Sequence, residues 1–174
     1  HPVGLIMLME GAEGIQSPRS LEEWWEAGVR LIGPVWAGGR YCGGTREHGE
    51  FTAEGYELLD VMTDHGFVLD ISHMDTKSSL QALDYYQGKV IASHANARAL
   101  LKEDAHERQL TDESIRRLID RGGVMGVIPF NRFLKAGWMD ADGRQDISLA
   151  MLADHIDHIC QLAGNAMHAG LGTD

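Results

Sequence analysis

The sequence predicts an α/β fold of parallel strands, and three observations predict it. Short apolar runs alternate with amphipathic segments along all 174 residues. Several of those runs are continuous, as strands buried on both faces require. Successive runs are spaced by roughly 30 residues, the length of one strand–helix unit. Units repeated in this way imply parallel strands joined by right-handed crossovers.

The elements follow in order. Val3–Met9 is the first strand-like run, with Met7 and Met9 read as core. Ser20 caps a helix over Leu21–Ala27, and Val29–Ile32 follows Gly28 as the second run. Of Trp24 and Trp25, one ring is expected in the core and the other at the surface. The long, glycine-rich stretch Ala37–Glu50 lacks the Lys-Ser/Thr ending of a phosphate loop and reads as a mobile flap over the C-terminal edge of the sheet. Thr52 caps Ala53–His65, where Tyr56, Leu59 and Met62 share a face; Phe67–Ile71 is the third run. Thr76 or a neighbour starts a helix ending at Gln87-Gly88, and Lys89–Ala92 is the fourth run. Thr111 or Asp112 caps Glu113–Arg121, with Ile115, Leu118 and Ile119 apolar; Gly123–Ile128 is the fifth run. Ser148 caps Leu149–Ala163, with Leu152, Ile156, Ile159 and Leu162 on one face, and Ala169–Gly172 is the sixth run. Gly28, Gly66, Gly88, Gly122 and Gly164 each stand where a left-handed helix cap is wanted. Two architectures fit: an open doubly wound sheet, or part of a (β/α)8 barrel, which in full needs ~250 residues. No dinucleotide or phosphate-loop fingerprint follows any strand.

Composition narrows the function. Hydrophobic residues make up 44% and charged residues 24%, ordinary for a globular chain. Fifteen basic against 26 acidic residues leave a net charge of −11, which repels phosphate backbones, so no nucleic-acid partner is expected. No apolar run reaches the ~18 residues of a membrane span. Cys42 and Cys160 are too few for a disulfide framework, read as reduced thiols, and lean the localisation toward the cytoplasm. No secretory pattern follows His1-Pro2. The missing initiator Met and the ending AGLGTD suggest an internal piece of a longer chain, or one processed at both ends. The expectation is a single partial barrel domain over residues 1–174.

Parallel α/β folds put their chemistry at the C-terminal ends of strands. Four runs here end in metal-ligand or acid–base residues: Glu10, His73, His94 and Asp174. A carboxylate and two imidazoles at one rim suit zinc, and a metal-activated water replaces the protein nucleophile that the sequence lacks. Ser72 and Ser93, each preceding a histidine, are candidates for orienting a ring. Asp70 reads either as an acceptor behind the ligands or as a buried, paired carboxylate. Asp154-His155 and Asp157-His158 lie on the last helix, with Asp154 and His158 four apart; that spacing could hold a metal, but the four read as a solvated face. His48, His65, His106 and His168 have no partner at ligand spacing.

The segments MEGAEGI, HGFVLDISHM, KVIASHANARAL, ERQLTDESI and GLGTD, with the helix ISLAMLADHIDHICQLAG, together resemble the renal (membrane) dipeptidase family of zinc peptidases over nearly the whole chain. The resemblance implies a TIM (β/α)8-type barrel, here incomplete with about six β-α units, and two zinc ions in the complete protein. It makes Glu10 the bridging ligand and His73 and His94 ligands of one metal. Asp174 becomes the catalytic aspartate, and Arg108 the anchor for the substrate's carboxylate, with Gln109 in place of the usual Asn. A metal-bound hydroxide would attack the peptide carbonyl. Two features depart from the family pattern. The His-x-Asp strand of the other metal site is absent, and Trp36 stands where a substrate-binding His is usual, so Trp36 becomes a candidate substrate contact. The expected function is a metal-dependent dipeptidase acting on a small peptide or amino-acid-derived substrate, with this chain alone inactive and a homodimer allowed for. Two rivals stand beside it: an amidohydrolase acting on N-acyl amino acids or cyclic amides, and a non-catalytic barrel fragment.

Overall fold

A computed structural model describes residues 3–101 and 106–174. His1 and Pro2, where the reading of the chain's opening began, lie outside the described residues. Among the described residues six short strands run parallel: β1 (Met7–Glu10), β2 (Val29–Gly33), β3 (Val68–Asp70), β4 (Val90–Ile91), β5 (Met125–Val127) and β6 (Ala169–Leu171). The helices are α1 (Leu21–Glu26), α2 (Ala53–His65), α3 (Thr76–Tyr85), α4 (Asp112–Asp120), α5 (Asn131–Leu134) and α6 (Leu149–Ala163).

Strand order decides between the two architectures. β1 to β4 form one sheet in chain order, and β5 pairs with β6. A parallel bridge from Ala92 to Met125 joins the two, with the Ala95 amide donating to the Gly126 carbonyl at 2.8 Å. Each strand therefore lies beside the next in sequence. A doubly wound sheet would reverse direction at a switch point; a barrel does not. The fold is a TIM (β/α)8-type barrel carrying six of its units.

Local chemistry explains the elements. The Thr52 hydroxyl accepts the Gly55 amide at the start of α2, and Gly66 closes that helix at φ 80. Leu58, Leu59 and Met62 of α2 are fully buried, each contributing about 1.5–3 kcal/mol. Thr111 caps α4 in the same way. Three expectations shift. Asp75, the neighbour of Thr76, caps α3 as expected, but that helix stops at Tyr85, so Gly88 is no left-handed cap. Ser20 and Ser148 stand at N-cap positions without a side-chain bond to the helix. Trp24 and Trp25 are both half-buried against the core.

The first strand is the largest departure. Its apolar run predicts burial on both faces, yet Leu5 is 91% exposed and Met7 is exposed too. Among the described residues β1 has one strand neighbour, so its outer edge and one face meet water. Cys42 and Cys160 are both free. No helix among the described residues is long and apolar enough to cross a membrane.

Candidate metal centre

The rim at the strand C-termini gathers the predicted residues. Glu10 is the last residue of β1. His73 follows β3 in a turn at φ 68, a left-handed backbone that swings its ring inward. His94 follows β4 where the chain crosses to β5. Its path is tight: a Cβ on Gly126 or Gly172 would come within 2.1 or 2.2 Å of the Ser93 carbonyl oxygen, so only glycine fits at either place.

The three side chains meet. His73 Nε2 and His94 Nε2 each lie 2.9 Å from Glu10 Oε1, and the two nitrogens are 3.0 Å apart. Among the described residues this is the one group of three metal-ligating side chains that converges. Donors about 2.1 Å from one centre stand about 3.0 Å apart at right angles and about 3.4 Å apart at the tetrahedral angle, so two imidazoles and a carboxylate at this spacing could hold a divalent cation with at most a few tenths of an ångström of opening. Burial, with Arg108 and His94 nearby, pushes the His73 imidazole down to about 3, so it is neutral at physiological pH, as a ligand must be. Asp174 Oδ1 is 3.8 Å from His94 Nε2, and the residue lines a cleft of about 240 Å³ with Glu10 and His94.

Arg108 lies behind His94, 3% exposed, and donates from Nη2 to the His94 carbonyl at 2.7 Å. Its Nε and Nη1 are buried without a partner. Burial pushes its pKa down to about 10, against the pull of Asp70, Asp174 and Glu10, so it remains a cation. It lines a cavity of about 510 Å³ together with Thr45, Phe130 and Phe133. Trp36 stacks beside the site, its ring centroid 5.4 Å from that of His73 and tilted by 35°.

Other parts were not legible. The glycine-rich stretch expected to be a mobile flap is pinned: the Gly43 amide donates to Ser78 Oγ and the Gly49 amide to Asp75 Oδ2. It delivers Thr45, whose hydroxyl lies 3.0 Å from His73 Nδ1. Nothing in the sequence marked Thr45. Asn96 is a buried hub, exchanging hydrogen bonds with Ile128 and donating to the Phe133 carbonyl. The expected solvated face of α6 is also corrected. His155 is 1% exposed and accepts the Ala97 amide, and His158 pairs with Asp112 at 2.8 Å. Asp70 resolves as a buried acceptor. Ser72 serves the His94 backbone rather than a ring.

The family model for membrane dipeptidase (peptidase family M19) matches residues 1–174. An uncharacterised protein in the pqqA 5' region of Klebsiella pneumoniae is 32% identical, over 99% of this chain and 65% of its own length. An uncharacterised dipeptidase of Schizosaccharomyces pombe, C965.12, is also 32% identical, over 98% of this chain and 42% of its own. A metallo peptidase from Rhodobacter sphaeroides, solved with a phosphinate mimic of the dipeptide L-Ala-D-Ala, superposes with a TM-score of 0.83 at 28% identity, covering 97% of this chain and 49% of that one. This chain thus spans between two fifths and two thirds of the length of these relatives.

Proposed function

Since the chain belongs to the membrane dipeptidase family, peptidase family M19, we propose that it carries the metal-binding and carboxylate-binding part of a metal-dependent dipeptidase. The observation that carries this reading is the meeting of Glu10, His73 and His94 beside the unpartnered guanidinium of Arg108. The Rhodobacter relative, solved with a dipeptide mimic, supports the substrate class.

Glu10, His73 and His94 would hold zinc, with Glu10's second oxygen free for a second ion of the complete protein. A bound zinc supplies Lewis-acid polarisation of the scissile carbonyl and acidifies a water. The chain's own groups do the rest. Arg108 keeps unpaired N–H groups on Nε and Nη1, and either of these with the second hydrogen of Nη2 forms one edge of the guanidinium for the C-terminal carboxylate of a dipeptide, which would fix the peptide bond relative to Glu10, His73 and His94. Asp174, at the mouth of the cleft, takes a proton from the attacking water on its carboxylate and returns it to the leaving amine. Trp36 covers one side of His73 and contacts the substrate.

The test is the full-length protein, with zinc content measured by mass spectrometry and hydrolysis followed on a dipeptide panel that includes L-Ala-D-Ala. His73→Ala and His94→Ala are expected to lose bound zinc and at least about 100-fold in kcat/KM. If both variants keep zinc and activity, the reading is wrong.

A further inference from the structure

We propose that Ser93, held by Asp70, is a positioning residue that sets the tautomer of His94 and thereby turns its Nε2 lone pair toward the metal site. The inference rests on the reading of Glu10, His73 and His94 as metal ligands.

The hydrogen bonds favour one assignment: Ser93 Oγ also lies 3.3 Å from Ser72 Oγ, but the Asp70 carboxylate is the nearer and stronger acceptor for its proton. Asp70 is buried at the end of β3, and its Oδ1 accepts the backbone amides of Ser72 at 3.0 Å and Ser93 at 2.9 Å. Its Oδ2 accepts the Ser93 hydroxyl. A serine hydroxyl has a single proton, and here it goes to Asp70. The same Ser93 oxygen lies 2.7 Å from His94 Nδ1, so it can only accept there. His94 must then carry its proton on Nδ1. A neutral imidazole has one N–H, so Nε2 is left with a bare lone pair.

That lone pair faces Glu10 Oε1 at 2.9 Å and His73 Nε2 at 3.0 Å. With the opposite tautomer, His94 would donate to the carboxylate and the cluster would be an ordinary hydrogen-bond network. Thr45 gives its one hydroxyl proton to the His73 carbonyl at 3.3 Å and so accepts from His73 Nδ1 at 3.0 Å, which leaves that Nε2 bare too; with both rings so set, electron-rich atoms confront each other and a cation is what relieves the repulsion. The backbone cannot slip to escape: Ser72 Oγ accepts the His94 amide at 3.1 Å, and Gly126 and Gly172 pack against the Ser93 carbonyl.

Two measurements on the full-length protein test this. In the metal-free wild type with 15N-labelled histidine, at mildly alkaline pH where imidazole is neutral, His94 is expected to show the Nδ1–H tautomer; an Nε2–H signal overturns the proposal. The second compares variants by the same spectrum and by competitive zinc titration. Ser93→Ala removes the acceptor and is expected to weaken zinc binding about 10–100-fold, while Ser93→Thr restores it to near wild type. Asp70→Asn preserves shape but offers an amide donor to Ser93. The Ser93 proton then turns to His94 Nδ1, and the ring is expected to switch to Nε2–H with a comparable loss of affinity. Retention of both tautomer and affinity in Asp70→Asn and Ser93→Ala overturns the proposal. A wild type that binds no zinc would instead overturn the functional reading, and the wild-type spectrum would still decide this one.

Discussion

His73 shows how much a single residue is asked to do here. It sits at φ 68, where a side chain costs about 1–2 kcal/mol, and is not glycine. The strain is tolerated because that backbone aims Nε2 at Glu10 while Nδ1 reaches Thr45. The arrangement predicts a dissociation of function from stability. His73→Gly and His73→Ala should lose zinc alike, but the glycine variant should be the more stable of the two by about 0.5–1 kcal/mol in urea unfolding. Relief of the left-handed strain outweighs the extra entropy of an unfolded glycine. Glu10, His73 and His94 were legible as residue types at strand ends, a position that parallel folds reserve for chemistry. Thr45 was not. It arrives from a loop 28 residues before its histidine, and only the packing of that loop on Asp75 and Ser78 brings it there.

At the level of elements, α6 is fastened by a histidine that sequence pattern assigned to water. His155 points from the helix into the junction behind His94, where it accepts the Ala97 amide at 3.2 Å. Burial, reinforced by nearby His158 and opposed by the Phe133 backbone and Asp154, pushes its pKa from 6.5 to about 4. The folded state therefore resists a proton that the unfolded chain accepts. Above pH 6.5 both states hold it neutral and its contribution is complete. As pH falls toward 4 the unfolded state gains the proton first, and about 3 kcal/mol of stability is lost. Unfolding followed across that range should show the loss, and His155→Gln should flatten it while keeping an acceptor for Ala97. The boundaries of α2 and α4 could be read from Thr52 and Thr111, because a cap is a local bond between neighbours in sequence. Burial of His155 and the pairing of His158 could not, because their partners lie on the β4–α4 connection, on α4 and on α5.

For the molecule as a whole, the open wall is the main physical fact. Among the described residues β1 has no strand on its outer edge, Val3, Leu5 and Ile6 just before it are exposed, and Leu171 of β6 is 67% exposed at the other edge. An exposed apolar edge strand is a template for pairing. The 174-residue chain on its own should associate with rising concentration in sedimentation velocity, and Leu5→Lys with Ile6→Lys should shift it toward monomer. A monodisperse wild type at high concentration would contradict this. The sequence by itself determined the strand–helix alternation, the parallel class, the Thr52 and Thr111 caps and the strand-end candidates, because each depends on neighbours within a few residues or on a period along the chain. Only the tertiary structure decided three things: that strand order never reverses, that Glu10, His73 and His94 share one point, and that Asp70 reaches His94 through Ser93. Those depend on distances between residues far apart in sequence, which periodicity does not carry.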